Sequence, residues 1–236
     1  MNFALITCVK IGLECAKSIY ASGNKLKLLI TLEDSKASLK SGRVNFDEFC
    51  EANSINLKKI IHINDLETTK YIKDHNIDWL FIIGWSQIAN EKILNAPNLG
   101  AIGAHPTLLP EGRGRASIPW AIIKGLKKTG VTFFKIDLGV DTGPIFEQES
   151  ITINKNETAS SLYEKVYKTH ANIIFDLIKK LKNGRYTLTT QNSNKASYWP
   201  GRKPEDGEID LNGSVNYAEK LIRATTRPYP GAFIIK

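Results

Sequence analysis

The chain has 236 residues, with 32 Lys and Arg against 24 Asp and Glu, a formal charge of +8. At roughly 150 residues per domain, that length fits one large domain with a short appendage and argues against a second full-sized one. Apolar residues at 42%, charged residues at 24% and aromatic residues at 9% describe a globular protein with a sizeable core. Disordered, collagen-like and coiled-coil classes are excluded.

No stretch reaches the roughly 18 apolar residues that a membrane-spanning helix needs. Asn2 to Thr7 lacks the basic flank and small-residue cleavage site of a secretory leader, so a cytoplasmic protein is expected. Cys8, Cys15 and Cys50 are odd in number, lack CxxC spacing and sit in apolar patterns, and read as buried thiols rather than disulfides or metal ligands.

Along the chain, Phe3 to Thr7, Lys27 to Leu32, Lys58 to Ile63, Trp79 to Gly84 and Ala101 to Ala104 are short apolar runs that read as buried strands. Between them, Gly12 to Ala21, Phe46 to Ala52 and Leu66 to His75 have helical spacing. This alternation predicts an α/β fold with a mainly parallel central sheet flanked by helices. Ligands of such sheets sit beyond the carboxyl ends of the strands, which directs attention to the segments after Thr7, Gly84 and Ala104.

Pro106 to Ala116 holds Pro106, Pro110, Gly112, Gly114, Arg113 and Arg115, a composition for a shaped loop. A short helix over Ile118 to Lys124, a strand over Gly130 to Ile136, a loop over Asp137 to Pro144 and a strand over Phe146 to Ile153 follow. Asn156 to Lys182 carries Leu162, Val166, Ile173, Ile174, Leu177, Ile178 and Leu181 as one helical stripe, which predicts packing on the sheet. From Asn183 the chain is polar and punctuated by Pro and Gly up to a helix over Ser214 to Thr225. Its last residues, Phe233 to Lys236, look like the start of a strand, as expected of a shortened chain or an unusually short natural one.

His62, His75 and His170 read as structural or solvated. His105 differs, because it falls at the carboxyl end of a predicted buried strand and opens the Pro106 to Ala116 loop, where a general base or a transition-state donor belongs. Asp137 to Pro144 places Asp137 and Asp141 in a tight loop with Gly139 and Gly143. A carboxylate there can orient His105 or carry a proton, or simply cap an Asp-Gly turn.

His105-Pro106-Thr107-Leu108-Leu109-Pro110, Arg113-Gly114, Gly130-Val131-Thr132 and Asp141-Thr142-Gly143-Pro144-Ile145 together resemble the formyltransferase family that uses 10-formyltetrahydrofolate. The resemblance implies formyl transfer from folate N10 to a primary amine, with no metal. In that family an Asn, a His two residues later and a downstream Asp form the catalytic set. The His matches His105 and the Asp matches Asp141, while Gly103 stands at the Asn position. Losing such an oxyanion donor costs a few kcal/mol, so either His105 serves alone or Gln87, Ser86 or Thr107 substitutes. The folate is expected against Ile83, Trp85, Gln87 and Ile88 on one side and Pro110, Arg113 and Gly114 on the other, with Asp137 nearby.

The segment Tyr198 to Asp210, with Leu221 to Ala224 and Pro228 to Phe233, looks like the post-core part of the tRNA and sugar enzymes of the family, which the glycinamide ribonucleotide enzyme lacks. Residues 1–182 are thus expected to form the catalytic core and 183–236 a substrate-facing extension. The tRNA enzyme carries a further β-barrel domain for which this length has no room, so the expected acceptor is a nucleotide-linked amino sugar, of the dTDP-amino-dideoxyhexose kind used in surface polysaccharide. Lys10, Arg202, Lys203, Arg223 and Arg227 are the expected diphosphate ligands, with Thr107 also at the substrate and Tyr198 or Trp199 stacked on the base, unless those rings only pin the tail. Scattered lysines argue against nucleic acid; a membrane is not expected and a homodimer is allowed. The competing readings are a truncated methionyl-tRNA formyltransferase and a folate- or nucleotide-binding relative without turnover.

Overall fold

A computed structural model describes residues 1–37 and 42–235. The first half runs β1 (Phe3–Ile6), α1 (Lys10–Ala21), β2 (Leu26–Leu32), α2 (Asp34–Ala37), α3 (Asp47–Ala52), β3 (Asn56–Ile60), α4 (Leu66–Asp74), β4 (Trp79–Ile83), α5 (Glu91–Leu94) and β5 (Gly100–His105). The second half runs β6 (Arg113–Gly114), α6 (Ser117–Ile123), β7 (Lys128–Lys135), β8 (Ile145–Thr152), α7 (Ala159–Lys182), β9 (Tyr198–Trp199) and α8 (Val215–Ala224).

Seven strands form one sheet in the order β3-β2-β1-β4-β5-β7-β8. The first five are parallel, β7 lies antiparallel to β5, and β8 returns antiparallel to β7. All four residues of β1 are buried, as expected of a strand covered on both faces. One apolar layer joins α1 and α7 to the sheet, and a second, on the other face, gathers Ile72 of α4 and Ile93 of α5. The predicted stripe of α7 is buried throughout, and the helix opens on a capping box between Thr158 and Ser161.

The departures have local causes. β3 begins at Asn56 and ends at Ile60, earlier than the apolar run suggests, because its ladder to β2 runs from Leu28 opposite Asn56 to Leu32 opposite Ile60; on this edge strand Lys58 reaches Glu67, and Lys59 reaches Asp34 and Asp47. The short α2 and α5 and the two-residue β6 and β9 leave no periodic trace. Phe233 makes a single parallel bridge with Glu208, and Lys236 lies outside the described residues. All three cysteines are buried thiols. Among the described residues, no helix is long and apolar enough to cross a membrane.

The chain leaves β1 toward β2 and β3, then crosses back to β4 on the other side of β1. The loops after β1 and β4 therefore diverge and open a crevice at the carboxyl edge of the sheet. The adjacent β5 delivers His105 to the same edge.

His170 is fully buried on α7, edge-on to the Phe133 ring at 5.7 Å, and its Nδ1–H donates to the Val166 carbonyl at 2.8 Å. Burial pushes this imidazole down to about 4. The unfolded ring takes its proton near pH 6.5 and the folded one only near 4, so stability present above pH 6.5 is lost as pH falls toward 4. At roughly 1.4 kcal/mol per pH unit the loss reaches about 3 kcal/mol. Denaturation midpoints at pH 7 and pH 4.5 are expected to show this acid loss, and His170→Phe to remove most of it.

Candidate active site

The register of β5 on β7 pairs His105 with Thr132 and Gly103 with Phe134. Beyond His105 the chain turns at Pro106, and the following loop is fastened to the strands beside it. Thr132 Oγ1 donates to the Thr107 carbonyl at 2.7 Å, Leu109 N–H donates to Thr132 Oγ1 at 3.2 Å, and Gln148 Nε2 donates to the Leu109 carbonyl at 2.9 Å. Thr132 and Gln148 thus fix the shape of a loop whose composition alone shows only that it is irregular.

The loop then folds back over the histidine. His105 is 8% exposed, with its Nε2 2.8 Å from the Gly112 carbonyl. A carbonyl only accepts, so Nε2 carries the proton. Nδ1 lies 3.6 Å from Asp141 Oδ2, the range of an ion pair rather than a hydrogen bond. The same Oδ2 accepts the Gly114 N–H at 2.8 Å.

Two glycines make this approach feasible. A Cβ on Gly114, whose φ is +106°, would lie 2.5 Å from the Trp199 carbonyl oxygen, and one on Gly143 would lie 1.7 Å from that of Lys135. The first permits β6 to pair with β9, and the second closes the Asp137 to Pro144 loop. Asp141 itself holds a left-handed φ of 54°.

Residues 28–178 match the family described as formyl transferase. The chain belongs to the formyl transferase family. It is a formyl-transferring enzyme. It is 33% identical to the methionyl-tRNA formyltransferase of Thermodesulfovibrio yellowstonii over 92% of this chain and 70% of that protein. A 4-N formyltransferase from Francisella tularensis shares the fold with a TM-score of 0.79 at 24% identity, over 100% of this chain and 92% of that one. WlaRD, a sugar 3N-formyl transferase solved with dTDP and 5-N-formyl-THF, does so with a TM-score of 0.71 at 21% identity, over 95% and 78% of the two chains.

Within this formyl transferase the expected folate residues line two facing segments, which the Arg115 guanidinium links by donating to the Ser86 carbonyl at 3.4 Å. Ile88 is 77% exposed, and Pro110 is half-buried. Trp85 packs by Cys8 and Leu32 with its indole N–H unpartnered. Several side chains are not available as expected. Ile83 is enclosed in the core and offers only its backbone. Gln87 is held at both ends, accepting from Ile63 N–H at 2.7 Å and donating to the Ile61 carbonyl at 3.0 Å, which ties it to the segment after β3 with one amide hydrogen left over. Arg113 as a residue is 3% exposed, and its guanidinium donates to Gln191 and Tyr198. Asp137 accepts from Gly139 N–H and Thr142 Oγ1 and shapes its own loop.

The expected substrate residues divide into separate groups. Lys10 and Arg227 meet Arg43, which the sequence does not single out, around a cavity of about 610 Å³ that Tyr163, Tyr167 and Tyr229 also line. Lys10 Nζ is 3.0 Å from Glu164 and 4.7 Å above the Tyr167 ring, and the Tyr163 and Tyr229 hydroxyls bond at 2.7 Å. Tyr198, Trp199, Arg202 and Lys203 are not lining residues of that cavity. Tyr198 accepts from Arg113, Trp199 covers Gly112, and Arg202 stacks 5.1 Å over Trp120. Lys203 is exposed, with its backbone N–H on Asp206. Arg223 is held by Glu219 and the Glu157 carbonyl. Thr107 is buried with an unpartnered hydroxyl.

The Gly103 position is filled from across the sheet. A Cβ there would sit 2.9 Å from Phe134 Cζ and 3.1 Å from Ile136 Cγ1, so an Asn does not fit beside the buried Phe134 ring. Gly103→Asn is expected to lower stability by about 1–3 kcal/mol through overpacking. In a double-mutant cycle read by chemical denaturation, Phe134→Leu with Gly103→Asn is expected to cost less than the sum of the single changes.

Proposed function

We propose that this enzyme transfers the formyl group of 10-formyltetrahydrofolate to the primary amine of a nucleotide-linked amino sugar, a dTDP-amino-dideoxyhexose destined for surface polysaccharide. The observation that carries the acceptor is the cavity bounded by Lys10, Arg43 and Arg227. It lies at the start of α1, whose first turn contains no acidic residue; a diphosphate there takes Lys10 and Arg43 from Glu164 and Asp34, with Arg227 and the positive helix end adding to the attraction. β1, which leads into this helix, is separated from β5 only by β4, a span of about 10 Å at the usual strand spacing.

The folate belongs between residues 84–88 and 110–115, which meet at Arg115 and Ser86 and whose backbone groups suit a polar heterocycle. The fold of WlaRD, which resembles this one, was solved with both a folate analogue and dTDP. Bound there, 10-formyltetrahydrofolate supplies an activated formyl carbon. As the amine nitrogen bonds to that carbon it must give up a proton, and folate N10 must gain one when its own bond to the carbon breaks. His105 Nδ1 holds the proton in passage. Gly112 fixes the opposite nitrogen, and the Asp141 carboxylate stabilises the imidazolium so formed.

A second reading, methionyl-tRNA as the acceptor, is favoured by the 33% identity to the Thermodesulfovibrio yellowstonii enzyme. Incubation with 10-formyltetrahydrofolate and either dTDP-4-amino-4,6-dideoxyglucose, its 3-amino isomer or charged initiator tRNA separates the two. Tetrahydrofolate release is expected with an amino sugar, and release with the tRNA alone sinks the sugar reading. No release with any of these acceptors would favour a folate- or nucleotide-binding protein without turnover. His105→Ala and Asp141→Asn are each expected to lower kcat by about 10²- to 10⁴-fold. Lys10→Met and Arg227→Met are expected to raise KM for the sugar nucleotide about tenfold, through one lost charged contact each, with kcat nearly unchanged.

A further inference from the structure

We infer that Gln191, in the tail after β8 and α7, is a positioning residue that holds Asp141 against His105; this rests on the reading of Asp141 given above. Gln191 is 7% exposed. Its Oε1 accepts from Arg113 Nη2 at 2.7 Å and from Nε at 3.2 Å. Its Nε2 donates to the Asp141 carbonyl at 2.9 Å and to the Gly143 carbonyl at 2.7 Å. Both amide hydrogens and the oxygen are therefore engaged. The orientation is dictated too, because a guanidinium only donates and a carbonyl only accepts.

What Gln191 grips is the part of the loop that needs holding. Asp141 sits at a left-handed φ of 54°, a conformation that a non-glycine residue adopts at a cost and keeps where neighbours impose it. The carboxylate of Asp141 is anchored to Gly114 N–H, and its main-chain carbonyl is anchored through Gln191 to Arg113. One residue is thus keyed at two atoms to two consecutive positions of β6. The adjacent Gly112 carries the carbonyl that fixes His105 Nε2. Gln191 consequently sets the distance between carboxylate and imidazole without touching either ring or carboxylate. An error of 1 Å in such an arrangement can lower the rate about 100-fold.

Gln191→Glu tests this with little change of shape. A carboxylate keeps acceptors for Arg113 but turns an oxygen toward the Asp141 and Gly143 carbonyls, replacing two hydrogen bonds by repulsion. The measurement is steady-state formyl transfer with whichever acceptor supports turnover, alongside the denaturation midpoint. The expected result is a kcat lowered 10- to 100-fold with both KM values within threefold of the parent. In the Asp141→Asn background, Gln191→Glu is expected to add less than a threefold further loss, because the group being positioned is already gone. A purely structural role predicts full additivity instead.

Where Gln191→Glu does not fold, Gln191→Met, which removes the bonds to the Asp141 and Gly143 carbonyls without repulsion and those from Arg113 as well, carries the same expectations. A folded variant with parental kcat beside an impaired Asp141→Asn overturns the inference alone, as does full additivity in the double variant. An Asp141→Asn enzyme with parental kcat overturns both the inference and the reading of Asp141 on which it rests.

Discussion

A buried guanidinium must have its hydrogens satisfied, and at Arg113 that demand organises everything around it. Its partners, Gln191 and Tyr198, both come from the tail. Desolvating the charge is tolerable only if the tail lies along the loop. Once it does, backbone pairing of β6 with β9 follows, and with it the Gly114 N–H that Asp141 accepts. The sheet supplies His105, but the Arg113 requirement determines what faces it.

This explains which parts of the molecule are legible in the amino-acid order. Strands buried on both faces and the long stripe of α7 announce themselves because their periodicity is local. His105 and Asp141 are readable as partners because each sits in a short, unusual segment. Gln191 carries no comparable signal, since an isolated glutamine among polar residues acquires meaning only when Arg113 is folded against it. The grouping of Lys10 with Arg43 and Arg227 is likewise non-local. Tyr198 and Trp199 were legible as important aromatic residues, but their pattern does not distinguish a base-stacking surface from a clamp. The contacts they make are with Arg113 and Gly112.

Gly103 shows how a departure from a family pattern becomes embedded in packing. Its cross-strand partner Phe134 has taken the volume that an Asn side chain would need. The chemistry of this edge must therefore be understood with the donors actually present, chiefly the imidazole and the backbone of the loop above it. Arg113 is held for the same reason that it matters: all three of its nitrogens already donate to Gln191 or Tyr198 inside the structure.

The sequence separations involved also bear on the order of assembly. Arg113 meets Gln191 across 78 positions and Tyr198 across 85, a separation like that of β1 from β4, where Phe3 pairs with Trp79, but both of its partners come after residue 190. These contacts require that the distant segment already exist. During synthesis the sheet can begin to consolidate while residues beyond 190 are still in the ribosome. The groups around Asp141 then acquire their final arrangement late, so a nascent chain carries its strands well before it carries a finished site.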